Sequence, residues 1–339
     1  MKRRTFLITA VGSGGSLAIA GCLGDEADDA GDGDDSAADT GTEDSADMDD
    51  EEPTDVEALI EAADNNLQVA VDELDEAVEE ANDPVSSDSQ AIETRPITAR
   101  LDEASADLET ARGEATDEQL RRIEALEGAV ECFRALVKAF GALGHAFDEY
   151  DTGDQYFDMD RFEDAIDAFE RAEDRTIEAK AHVSDAREAF DRIDPDAMDD
   201  IDHTDLTELA VAIDEVEEVI VAMEYLSVGI RELAAAMKSF ETANQALDAG
   251  QFEEAAAAYN DSSNQFYVAF TTFQEAESEV SAGFRADMID MSCLAEALSD
   301  ATDHFAKGAE AFADGRDQDG SDHFDDGEAA LERCDDPME

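Results

Sequence analysis

The chain has 339 residues, of which 92 are acidic and 22 basic, a net charge of −70. Such self-repulsion opposes compaction unless salt screens it, and the Debye length falls to about 3 Å at 1 M salt. Nucleic acid is excluded as a partner, because binding phosphates takes clustered Lys and Arg, and lysine occurs only at Lys2, Lys138, Lys180, Lys238 and Lys307.

Residues 1–21 open with paired Arg3 and Arg4 and continue as an uncharged run from Thr5 to Ile19-Ala20-Gly21, directly before Cys22. The run is shorter than the ~20 apolar residues a membrane span needs, and Gly12, Gly14 and Gly15 weaken it as a packed helix. The segment resembles a twin-arginine export signal ending in a lipobox. That resemblance implies export of the folded chain through Arg3 and Arg4, and a mature protein anchored to the outer face of the cytoplasmic membrane by lipid on Cys22. Together with the acidity and scarce lysine, it makes the chain similar to exported proteins of salt-loving archaea, in which the acidic surface serves solvation at high salt.

Residues 22–53 follow the signal, and positions 23–53 hold fifteen acids and no base. A segment so charged and so poor in apolar side chains cannot offset its ordering entropy, so a disordered tether is expected here.

From Thr54 the pattern is helical. Thr54 and Glu57 have capping-box spacing, and Ile60, Ala63, Leu67, Val71, Leu74 and Val78 fall on one face. After a loop containing Pro84, Pro96 opens a helix with the stripe Ile97, Leu101, Ala104, Leu108 and Ala111. Thr116 and Gln119 mark another start, followed by Leu120, Ile123, Leu126, Val130, Phe133, Val137 and Phe140. Asp194-Pro195-Asp196 is the clearest mid-chain break, after which Leu209, Ile213, Val216, Ile220 and Met223 resume the period. No convincing alternating strand occurs. The expectation is an all-α fold of eight or nine helices in antiparallel hairpins or a bundle, divided into helical subdomains over 54–192 and 204–335.

The chain also matches itself. Asp160 to Phe169 aligns with Gly250 to Tyr259 ninety residues later, with Tyr150, Gly153 and Phe157 opposite Phe240, Ala243 and Leu247. A weaker copy places Phe305, Gly308, Phe312, Gly315, Gly320 and Phe324 at the same offsets sixty-five residues further on. In each copy a small residue (Gly153, Ala243 or Gly308) precedes another (Ala165, Ala255 or Gly320) by twelve positions, and an aromatic (Phe169, Tyr259 or Phe324) follows four later. Small residues let two helix backbones approach, and the aromatic would fill the space against a neighbouring helix. Phe157, Phe162 and Phe252 read as further packing residues of the same units.

These residues resemble the tetratricopeptide repeat, a helix-turn-helix unit of about 34 residues, over roughly 146–179, 236–269 and 301–334. The family's tryptophan and leucine positions hold Glu149 and Thr152 in the first copy, and the copies are not tandem. The resemblance implies hairpins that serve as a scaffold for another protein.

With Cys22 assigned to the anchor, Cys132 falls on an apolar face, while Cys293 and Cys334 share the terminal segment and are the candidate disulfide. Asp314 to Gly320 is similar to a calcium loop, but aligning Gly320 with the turn glycine puts Gly315 where the first aspartate belongs. The five histidines, His145, His182, His203, His304 and His323, lack metal-ligand spacing and read as surface or interfacial residues. Asn260-Asp261-Ser262 is a glycosylation sequon placed within a helix. No catalytic motif, metal site or cofactor is expected. The reading is a lipid-anchored, non-enzymatic extracytoplasmic scaffold for an unknown protein partner. Its alternative is a structural or cation- or solute-binding envelope lipoprotein without a dedicated protein partner.

Overall fold

The computed structural model describes residues 55–81, 94–198, 201 and 205–334. Arg3, Arg4, Cys22, the acidic tether, Thr54, Pro84 and His203 lie outside them. Among the described residues there is no strand, and nine α-helices follow one another: α1 (Val56–Ala81), α2 (Thr94–Arg112), α3 (Asp117–Asp158), α4 (Phe162–Phe190), the single turn α5 (Pro195–Met198), α6 (Leu206–Asp248), α7 (Phe252–Glu279), α8 (Ala282–Ala313) and α9 (Asp317–Leu331). A short 3-10 turn, Glu332–Cys334, is the last described element.

Local signals account for the starts of α1, α2, α3 and α6. At α3 the Thr116 hydroxyl accepts from the Gln119 amide N–H, while the Gln119 side chain accepts from the Thr116 N–H, a complete capping box. At α1 the cap is Asp55, whose Oδ1 accepts from the Glu57 and Ala58 amides at 3.2 and 3.4 Å. Thr54, the other half of the expected box, lies outside the described residues. The Glu57 carboxylate accepts from Arg122 at 2.6 Å on α3, which holds its pKa below the usual carboxylate value. Pro96 sits in the first turn of α2, where its missing N–H costs nothing, and Asp205 caps α6 through the Thr207 amide.

The expected stripes face inward. The five of α2 are buried, as are Ile123, Leu126, Val130, Phe133, Val137 and Phe140 on α3 and Leu209, Ile213, Val216, Ile220 and Met223 on α6. On α1, Ile60, Ala63, Leu67 and Leu74 are buried and Val71 is half-buried, while the side chain of Val78 lies outside the described part.

Each long helix packs mainly on its neighbours in the chain and only marginally on the next but one. The result is a serial array of antiparallel helices. One apolar core runs from Val56 to Ala295 across the Pro195 break. A second, smaller core sits where α6 and α7 meet α8 and α9, around Tyr259, Phe305 and Ala306.

The contacts between helices change character along this array. In the first half, cations bridge acidic neighbours: Arg122 to Glu57, Arg134 to Asp102, Arg171 to Glu149, Lys180 to Glu224, Arg187 to Asp214 and Glu217, and Lys238 to Glu163. Arg231 of α6 likewise pairs with Glu173 of α4. Between α6, α7 and α8, neutral hydroxyls bridge instead. Ser262 donates to the Ala236 carbonyl at 2.9 Å, and Ser263 and Ser299 each donate to the other's carbonyl at 3.0 and 3.1 Å.

Three hairpin turns share one geometry. Asp160, Gly250 and Gly315 have φ of 58°, 74° and 75°, and the next residue, Arg161, Gln251 or Arg316, has ψ near 63° in every case. The N–H of that next residue donates to the carbonyl of Tyr156, Ala246 or Ala311 at 2.8–2.9 Å. The preceding N–H donates to Phe157, Leu247 or Phe312 at 2.9–3.1 Å. This is a Schellman end, which satisfies the last helix carbonyls through a left-handed residue. These turns recur at the spacings of ninety and sixty-five found in the sequence.

A left-handed residue with a Cβ is strained, and nothing lies within 4 Å of a Cβ added at Gly250 or Gly315, so only the backbone would oppose a substitution. Gly250→Ala and Gly315→Ala should each cost about 1 kcal/mol in thermal melts at molar KCl, whereas Asp160→Gly should stay within about 0.5 kcal/mol of the parent. Equal losses at all three positions would show that the turns are not equivalent.

Candidate functional site

The repeated residues meet at the seams of three hairpins. In the first, α3 and α4, a Cβ added at Gly153 would lie 2.6 Å from the ring of Phe169, so only glycine admits that ring. Phe169 is fully buried and meets Tyr150 edge-on at 5.4 Å, Ala165 is fully buried, and Phe157 meets Phe162 edge-on at 5.5 Å near the turn.

In the second hairpin, α6 and α7, Ala243 and Ala255 are fully buried. Tyr259 packs against Phe240 at 5.6 Å and reaches across to Phe305 and Phe324 at 5.7 and 6.2 Å. Its hydroxyl donates to Asn244 Oδ1 at 2.6 Å, and burial, with the nearby Asp248 charge, pushes its pKa up to about 12. Half-buried Phe252 lies against Phe312 of α8 at 5.6 Å.

In the third hairpin, α8 and α9, the ring of Phe324 would be 2.5 Å from a Cβ at Gly308 and stacks on Phe305 at 5.1 Å. Gly320 and Gly327 likewise face the rings of Phe312 and Phe305, each 2.5 Å from an added Cβ. The expectation that the aromatic fills space against a neighbouring helix is therefore refined. In the first and third copies it covers the small residue of its own hairpin, and only Tyr259 spans to the next.

The sulfur atoms of Cys293 and Cys334 are bonded, with Cα atoms 6.1 Å apart, tying the interior of α8 to the turn after α9. Arg333 reinforces that junction by donating to Asp300 at 2.6 Å. Cys132 is buried in the core, and burial pushes its pKa up to about 12.

The segment Asp314 to Gly320 is the third hairpin turn. Arg316 occupies its carboxylates by donating to Asp314 at 3.2 Å and Asp319 at 3.1 Å. The sequon lies within α7, and Ser262 is fully buried.

Sequence spacing missed one grouping. His304 of α8 and His323 and Asp326 of α9 each offer a ligand atom within 4.8 Å of the other two. His304 Nδ1 is 4.0 Å from Asp326 Oδ2, and the two rings are 6.1 Å apart. Both Nδ1 atoms are buried without a hydrogen-bond partner. His304 and His323 are half-buried residues of the α8–α9 interface. Each histidine directly precedes a seam phenylalanine, Phe305 or Phe324, and Asp326 directly precedes Gly327. Their common rule is a place directly before a residue of the α8–α9 seam, which sequence spacing does not mark. His182 pairs instead with Asp185 at 3.9 Å, and His145 is exposed.

Compared with protein-family models, curated proteins and solved structures, the chain matches none. No helix among the described residues is long and apolar enough to cross a membrane.

Ala165 and Ala255 leave no room for a longer side chain. Ala165→Arg and Ala255→Arg should each remove at least about 3 kcal/mol of stability, because a buried unpaired charge adds to overpacking. Unchanged melting in both would refute the seam assignment. Reducing the disulfide, which spans 41 residues, should cost about 4 kcal/mol in the chain-entropy limit, read as a lower melting point. A maleimide should leave Cys132 unmodified in the native state and label it on unfolding, as mass spectrometry would record.

Proposed function

We propose that the protein is a lipid-anchored extracytoplasmic scaffold whose tetratricopeptide-like hairpins present a surface to a protein partner. The observation that carries this reading is the serial packing of the helices. Because each helix contacts chiefly its chain neighbours, the array keeps a long lateral surface that a closed bundle would bury. Exposed apolar side chains occur on four of its helices, with Ile177 on α4, Val211 on α6, Tyr267 and Val268 on α7 and Ile289 on α8. The recurrence of one turn and one small-residue seam supports the repeat resemblance, although the unequal spacing departs from a regular superhelix.

Export through Arg3 and Arg4 and anchoring at Cys22 belong to the same proposal and rest on the sequence. The Cys293–Cys334 bond is consistent with them, since structural disulfides persist in oxidising compartments. The seam residues Gly153, Phe169, Ala243, Tyr259, Gly308 and Phe324 hold the scaffold together and are not partner contacts. The second reading, a structural or cation-binding envelope lipoprotein without a dedicated protein partner, draws on the excess of carboxylates over bases.

Purification of the tagged protein from native membranes at molar salt, beside its Cys22→Ser form, tests the proposal. One stoichiometric protein partner should accompany the anchored form, and Cys22→Ser should move the chain out of the membrane fraction. Recovery of the chain alone would overturn the scaffold reading in favour of the second. Membrane retention of Cys22→Ser would overturn the anchor.

A further inference from the structure

We infer that His304, His323 and Asp326 form a binding site for one divalent transition-metal ion, with Zn2+ as its best-suited occupant, that bridges α8 and α9. The inference needs neither the anchor nor a protein partner, so it stands apart from the scaffold reading.

The site follows from how the two helices are brought together. Glycines at 308, 320 and 327 admit the rings of Phe324, Phe312 and Phe305, so α8 and α9 approach closely. Adjacent helical positions are turned by about 100° from one another, which places the residue next to an inward-facing one at the rim of the seam. His304 and His323 each precede an inward-facing ring, and Asp326 precedes an inward-facing glycine. His323 and Asp326, three apart on α9, lie on one helical face opposite His304. The glycine and phenylalanine packing thus sets the distance across which the three side chains face one another.

The donor set is that of a transition metal. Two imidazole nitrogens and one carboxylate oxygen suit zinc, which takes tetrahedral N and O ligands and leaves a fourth position to water when the protein supplies three. Tetrahedral ligands at zinc distances lie about 3.3 Å apart. The present separations, 4.0 Å between His304 Nδ1 and Asp326 Oδ2 and at most 4.8 Å within the group, close to that value with side-chain shifts of about 1 Å shared among three residues.

The two Nδ1 atoms are also buried without a hydrogen-bond partner, and an orphaned buried polar atom is costly. A bound cation would satisfy both. The imidazoles set this site apart from the many carboxylates around it, which bind hard cations such as K+ and Mg2+ weakly and without nitrogen ligands.

The test uses the full chain, stripped of metal with a chelator and held at molar KCl with excess Mg2+ to occupy the general carboxylate surface. Calorimetric titration with Zn2+ should show one saturable equivalent and a raised melting point, as for any ligand that binds only the folded state. His304→Gln, His323→Gln and Asp326→Asn should each weaken that equivalent at least about tenfold, while His145→Gln and His182→Gln leave it unchanged. As a measure that needs no substitution, imidazole NMR of the parent chain should show zinc perturbing two of its five histidine rings. Absence of a saturable equivalent, its survival in His304→Gln, or perturbation of a different set of rings would overturn the site.

Discussion

Helices as acidic as these repel one another, and the fold depends on placing a short-range contact wherever two of them meet. The two halves of the array meet that constraint differently. From α1 to α6 most of the scarce arginines and lysines stand at the helix boundaries, so a base that would be an ordinary surface charge elsewhere becomes the link between two carboxylate-bearing faces. Exposed ion pairs are individually weak. Their value here lies in removing like-charge repulsion at the contact rather than in adding attraction.

From α6 to α9 the boundaries between helices use no such links apart from Arg333 to Asp300 among the described residues. Close approach takes their place. Serine hydroxyls donate to carbonyls of the facing helix, and rings settle onto glycine or alanine. These contacts are neutral and short, so salt does not screen them. The disulfide then fixes the terminal hairpin, which has the shortest of the long helices and the least apolar surface to bury.

Much of this was legible beforehand, for physical reasons. Burial of a helix face imposes its period on the sequence, so the stripes of α2, α3 and α6 could be read directly. The Schellman turns were legible as a repeat because a left-handed residue and the small residue five positions later are both narrow steric requirements, satisfied by Asp160 and Ala165, Gly250 and Ala255, and Gly315 and Gly320. At α1 the adjacent Thr54 and Asp55 both qualify as caps by residue type, and it is the observed hydrogen bonds that identify Asp55 as capping the first turn. The histidine cluster was not legible from spacing at all. Its members come from two helices, and the rule that unites them is the register of a glycine and phenylalanine seam, which no periodicity encodes.

The buried thiol bears on how the disulfide endures. An unpaired cysteine in a chain that also holds a disulfide can attack it, and the attacking species is the thiolate. Burial pushes the Cys132 pKa up to about 12, which disfavours the thiolate at neutral pH, and the core denies it access besides. Packing of α3 therefore acts as a kinetic guard. Once that helix is in place, Cys132 is withheld from the 293–334 bond.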